Sequence, residues 1–192
     1  MSGFALHLMR HGAPETPGLL MGRTDGTPTE EGIAACIAQQ RGLKISAIIA
    51  SDLRRALAPA EAIGTQRNLS PLVDPRWREL DFGAWEGMTV AAVDQNAMAR
   101  FWADPDKAPP PGGERWSTLV DRVAQAIDGL IPVPTLVVTH GGAMRAALAA
   151  LCGLTPAQSW AFALPYSALL SLHIWPGERP TAQITGLSHC ES

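Results

Sequence analysis

The sequence predicts an α/β protein, a three-layer α/β/α sandwich whose sheet is mostly parallel with an antiparallel edge strand. Three observations predict it. The apolar runs Phe4–Met9, Ala47–Ala50 and Thr135–Thr139 are short and stop at polar turn residues, the mark of strands buried in a sheet. Each is followed by a segment with helical spacing, and strands alternating with helices make parallel sheets. Later, Ala168–Trp175 alternates Leu170, Leu172 and Ile174 against Ser171, His173 and Trp175, a half-buried strand.

Taken in order, residues 4–10 form the first strand. Residues 12–28 hold three prolines and four glycines and form a loop over its end. Thr29 is a good N-cap for a helix reaching about Arg41, with Ile33, Cys36 and Ile37 on one side. Residues 45–50 are the second strand. Ser51 or Asp52 would cap a helix to about Arg67, with Pro59 a point of kinking. Leu72–Asp74 is a short strand candidate. The stretch 77–87 is dense in aromatics and carboxylates without a period, a packed loop holding a polar group. A helix is expected from Thr89 to about Trp102, then a proline-rich loop from Pro105 to Gly113, then a helix from Ser117 to about Leu130. Residues 135–139 are a strand, and Gly142–Leu151 is an alanine-rich helix closed by Gly153. Residues 182–187 close the chain as the antiparallel edge strand. The 192 residues suit one domain, 1–192, with a full core.

Composition narrows the function classes. The net charge of −3 and the lack of a basic stripe argue against nucleic-acid binding. The longest apolar region, Trp160–Trp175, is interrupted by Pro165 and polar residues, so no bilayer span is expected. No start resembling a signal peptide is found, and Cys36, Cys152 and Cys190 are scattered and odd in number. Together these point to a cytoplasmic protein with reduced thiols and no cysteine-based metal site.

Chemistry gathers at strand ends. The first strand runs into Arg10-His11-Gly12, the third apolar run into His140-Gly141-Gly142, and the second into Ser51-Asp52-Leu53-Arg54-Arg55. Open α/β sheets bind ligands at the carboxyl ends of their strands. There, two imidazoles and at least two guanidiniums would meet, a set suited to a phosphate.

These segments resemble the histidine phosphatase superfamily, the phosphoglycerate mutase-like fold. Arg10-His11-Gly12 is similar to its R-H-G signature, Ser51–Ala56 to S-D-L-x-R-A, and Arg78–Gly87 to R-E-x-D-F-G-x-W-E-G. Pro111-Gly112-Gly113-Glu114 resembles P-G-G-E-S, and Thr139–Gly142 resembles T/S-H-G-G. The resemblance implies a nucleophilic His11 that carries a phosphohistidine, and Glu79 as proton donor to the leaving alkoxide. It implies Arg10, Arg55, His140 and Gly141 as phosphate contacts. Arg54, Asp81 and Glu86 rival Arg55 and Glu79; the motif register favours the latter pair, leaving Glu86 to hold backbone. Arg145 is expected to pack or to form a salt bridge; Trp85, Trp102, Trp116 and Trp160 could form a base-stacking wall, with core packing favoured for each alone. The chain departs from the family where R-H-G-E-T-x-x-N is usual: it reads Ala13-Pro14-Glu15-Thr16-Pro17, so Thr16 would replace an asparagine contact. Gly22 and Arg23 lie in the G-x-x-D segment, on the substrate side.

The expected activity is a phosphomonoesterase acting on a small-molecule phosphate ester, without metal or cofactor, similar to alpha-ribazole phosphatases and broad small-molecule phosphatases. A cofactor-dependent mutase is the rival enzyme, and a catalytically silent phosphate-binding protein the rival of another class. A homodimer is compatible with everything read so far.

Overall fold

A computed structural model describes residues 3–189 of the chain. Cys190 lies outside the described residues. Six strands form one sheet: β1 (Phe4–Arg10), β2 (Ala47–Ala50), β3 (Leu72–Val73), β4 (Thr135–Thr139), β5 (Leu169–Trp175) and β6 (Thr181–Ser188). Their order across the sheet is β3-β2-β4-β1-β5-β6. The first four are parallel; β5 pairs antiparallel with β1 and β6 antiparallel with β5. The reversal therefore falls at β5, one strand inside the predicted edge.

The helices are α1 (Glu30–Gln39), α2 (Arg54–Arg67), α3 (Gln95–Ala103), α4 (Trp116–Asp128), α5 (Gly141–Cys152) and the single turn α6 (Pro156–Ser159). Strand β4 shows how they cover both faces. Val137 packs into a cluster with Leu119 and Val123 of α4 and Leu148 of α5. Leu136 and Val138 point the other way, toward Cys36 of α1 and Ala56, Ala60 and Ile63 of α2. All five β4 residues are buried, the expected state of a central parallel strand. A fully buried Leu or Val contributes about 1.5–3 kcal/mol, so this strand anchors both layers.

Local chemistry sets the boundaries. Thr29 caps α1 by accepting a bond from the Gly32 amide, and Gly153 closes α5 in the left-handed region. The start of α2 departs from expectation. Its N-cap is Leu53, and the Asp25 carboxylate, from the loop after β1, accepts the Arg54 amide at 2.8 Å. Ser51 and Asp52 are engaged elsewhere: Ser51 with His140, Asp52 in an ion pair with Arg78. Pro59 is buried inside α2, which continues unbroken around it. The helix predicted from Thr89 begins only at Gln95, because Asp94 caps it and residues 90–92 form a 3-10 turn capped by Thr89.

Candidate active site

Strand register brings the two histidines together. Arg10 pairs with Thr139 across β1 and β4, so the next residue on each strand, His11 and His140, leaves the sheet side by side. Their ring centroids are 5.2 Å apart, edge to face. On the β2 side, Ala50 pairs with Val138, which brings Ser51 within 3.0 Å of His140 Nε2. Gly12 lets α1 pack closely against the end of β1, because a Cβ there would overlap the Gly32 carbonyl of α1.

His11 is buried, and its Nδ1 lies 2.7 Å from the Gly12 carbonyl oxygen. A carbonyl only accepts, so Nδ1 carries the proton and Nε2 keeps a free lone pair. Burial, then the Arg55 and Arg10 charges, push the His11 pKa down to about 3. His140 is driven in the same direction, by burial first and then by Arg55, His11 and Arg10. Both rings are therefore neutral near pH 7. His140 Nδ1 is buried without a hydrogen-bond partner among the described residues, as is Arg10 Nε. Such orphaned polar atoms are costly unless a ligand meets them.

The two arginines are fixed by backbone. Arg55, 1% exposed, donates to the carbonyls of Met21 at 2.6 Å, Gly22 at 3.2 Å and Thr24 at 2.8 Å. Its neighbour Arg54 is exposed. Arg10 donates to the Leu164 carbonyl at 2.6 Å and stacks on Tyr166, with 4.3 Å to the ring centroid. The loop that grips Arg55 is itself gripped by Glu86, whose carboxylate accepts the amides of Gly22, Arg23, Thr24 and Phe82. Burial raises the Glu86 pKa, but those amide bonds outweigh it and hold the carboxyl below its ordinary value.

Glu79 sits opposite, half-buried. Its oxygens accept the Leu80 amide at 2.8 Å and the Gly142 amide at 3.0 Å. The Gly142 amide at the start of α5 is thus taken by Glu79. Arg122 fixes the Glu79 segment from behind, donating to the Arg76, Arg78 and Glu79 carbonyls and pairing with Glu114 at 2.8 Å.

Two adjoining cavities open here. The smaller, about 130 Å³, is lined by Arg10, His11, Arg55, Glu79 and Tyr166 among others. The larger, about 230 Å³, shares Arg10, Glu79 and Phe82 and adds Gly141 and Arg145. Gly22 contributes only backbone, to Arg55 and Glu86. Thr16 is exposed and lines neither cavity; Arg23 is exposed, lines neither, and pairs with Asp81 at 3.3 Å. Tyr166 and Ser51 were missed as site residues. Tyr166 lies in a segment without a motif, and Ser51 looked like a helix cap. Among the described residues, no three His, Cys, Asp or Glu side chains are grouped to hold a metal ion.

Fold and side chains define a class: an α/β/α sandwich with two neutral imidazoles and two guanidiniums at the carboxyl ends of parallel strands, suited to an anion. The chain belongs to the histidine phosphatase superfamily, branch 1, whose family model matches residues 6–185. A glucosyl-3-phosphoglycerate phosphatase from Mycolicibacterium vanbaalenii is 37% identical over 126 residues, 59% of this chain and 56% of that one. The matched region thus spans little more than half of that relative. The solved mycobacterial glucosyl-3-phosphoglycerate phosphatase superposes with TM-score 0.82 at 27% identity, over 94% of this chain and 96% of that one. A probable phosphoglycerate mutase from Erwinia tasmaniensis is 30% identical over 161 residues, 78% of this chain and 75% of that one. A putative alpha-ribazole-5'-P phosphatase from Escherichia coli shares the fold, with TM-score 0.80 at 24% identity over 96% and 95% of the chains.

Proposed function

We propose that the chain is a metal-independent phosphomonoesterase that hydrolyses a small phosphate ester through a phosphohistidine on His11. The observation that carries this reading is the state of His11: neutral, with its proton on Nδ1, held by Gly12, and its Nε2 lone pair free between two cations. A nucleophile must have its lone pair available; burial first, and then the guanidiniums, keep the ring unprotonated, and the guanidiniums also suit the phosphoryl oxygens.

In this reading the ester's phosphoryl group lies in the smaller cavity against Arg10 and Arg55, with His140, which lines neither cavity, beside His11. Nε2 of His11 attacks phosphorus; the N–P bond forms as the ester P–O bond breaks, and Glu79, protonated for this step, gives its proton to the departing oxygen. Water then attacks the phosphohistidine and gives a proton to Glu79. The N–P bond breaks, releasing inorganic phosphate and neutral His11. The guanidiniums supply the positive charge that a metal supplies elsewhere. Glu79 lines both cavities, the place a proton donor to the leaving group must occupy. Small phosphate esters are the partners; nucleic acid and membrane are not invoked. Among the described residues, no helix is long and apolar enough to cross a bilayer. A cytoplasmic location is part of the proposal.

The similarity to a probable phosphoglycerate mutase favours one second reading, phosphotransfer between two positions of a substrate after priming. Hydrolysis of an aryl phosphate by the wild type and by His11→Ala, with excess chelator, tests the proposal. Chelator-resistant turnover that vanishes in the variant is expected. No turnover by folded wild type would instead support a mutase awaiting a priming phosphate, or a silent phosphate-binding protein.

A further inference from the structure

The larger cavity has a wall that the proposed phosphoryl chemistry leaves unused. At the lining, Phe101 meets Trp102 at 5.1 Å between ring centroids and Trp102 meets Trp160 at 4.5 Å, with Trp85, itself outside the lining, against Phe101 at 5.7 Å, each edge to face. The Arg145 guanidinium ends this ladder, 4.2 Å from the Trp160 centroid. Trp102 and Trp160 come from two separate elements, the end of α3 and the residue after α6, yet they meet at the cavity. They are 42% and 39% exposed. Clustered exposed indoles mark a surface that something covers.

Arg145 is the second observation. It donates to the Gly141 carbonyl at 3.3 Å and the Phe162 carbonyl at 3.1 Å, while its Nε is buried without a partner among the described residues. Only Arg10, Glu79 and Arg145 among the lining side chains carry charge, and the first two also line the smaller cavity. A sugar would bring many hydroxyls and find few partners here. A flat ring would find aromatic faces and edges, and one donor.

We infer that the alcohol part of the ester is a flat aromatic ring bearing a hydrogen-bond acceptor, seated against Trp102 and Trp160 with its acceptor on the Arg145 guanidinium. Arg145 and the two indoles are then specificity residues, and the larger cavity is the leaving-group pocket. This rests on the phosphatase reading for the placement of the phosphoryl group. It assigns this chain a substrate class different from the glucosyl ester in the name of its relatives.

Non-hydrolysable phosphonates test the pocket without turnover. Calorimetric titration of the wild type would compare benzylphosphonate, cyclohexylmethylphosphonate, the three pyridylmethylphosphonates and a glucosyl phosphonate, with inorganic phosphate as reference. Benzylphosphonate is expected to bind about tenfold more tightly than its cyclohexyl counterpart, the scale of one aromatic contact. At least one pyridyl isomer should gain about fivefold more, the scale of one hydrogen bond. Trp102→Ala and Trp160→Ala should each remove most of the aromatic preference, and Arg145→Met the pyridyl preference, with phosphate affinity unchanged within about twofold in all three. Equal affinity for the benzyl and cyclohexyl compounds, a preference that survives both tryptophan variants, or tightest binding of the glucosyl phosphonate would overturn the inference. Selective binding in a chain without turnover would count against the phosphatase reading alone.

Discussion

Gly142 and Glu79 are fitted to one another: the Gly142 amide donates to Glu79 Oε2 at 3.0 Å, and a Cβ on Gly142 would overlap Oε1. The second glycine after His140 is thus where the carboxylate docks on the first turn of α5. Gly142→Ala must push Glu79 out of place. Turnover of alkyl phosphates, whose leaving groups need a proton, should fall about 100-fold, and that of activated aryl phosphates far less. Steady-state kinetics on matched alkyl and aryl esters checks this, and equal losses on both would remove Glu79 from the proton-donor role.

Arg122 joins the Glu79 segment to α4. Its side chain is 15% exposed, and its partner Glu114 only 7%. Removing the guanidinium strands Glu114 and three backbone carbonyls, so Arg122→Leu should cost about 3–5 kcal/mol in urea unfolding.

Glu86 acts on Arg55 through the loop. Glu86→Ala frees the amides of Gly22, Arg23, Thr24 and Phe82, and with them the carbonyls that hold the Arg55 fork. Inhibition by inorganic phosphate should weaken about tenfold, at a stability cost of about 1–3 kcal/mol. KM should rise more than kcat falls.

Acid should weaken the fold through the site. An unfolded imidazole titrates near 6.5, whereas folded His11 titrates near 3. Between these values the unfolded chain binds a proton that the native one refuses. Stability is therefore full above about pH 6.5 and falls as pH drops toward 3, by up to about 1.4 kcal/mol per pH unit for this ring. His140, lowered in the same direction, steepens the fall. Chemical denaturation between pH 7 and pH 4 measures the slope; His11→Ala should flatten it.

The frame and the candidate site groups are legible in the sequence because both are written in short local patterns. β1, β2 and β4 are apolar runs ending in polar residues, and the motifs at their ends carry His11, Arg55 and His140. Three-dimensional pairing hid the rest. Ser51 looks like a cap in sequence, but strand register gives it to His140 while Asp25, from a distant loop, caps α2. Trp102, Trp160 and Arg145 each fit a packing role when read singly. Only α3, α5 and α6 together make them one wall, and no periodicity reports that. Thr16, which the resemblance set in place of an asparagine contact, is exposed and lines neither cavity, while Leu19, Leu20 and Met21 of the same loop line the smaller one.

Trapping the phosphoryl-enzyme tests the central claim most directly. Wild type mixed with an aryl phosphate in excess chelator, quenched in alkali within one turnover and mapped by mass spectrometry, should carry a single phosphoryl group on His11, stable to base and labile to acid. A phosphoryl group on another residue, or full turnover with none on His11, would contradict the account.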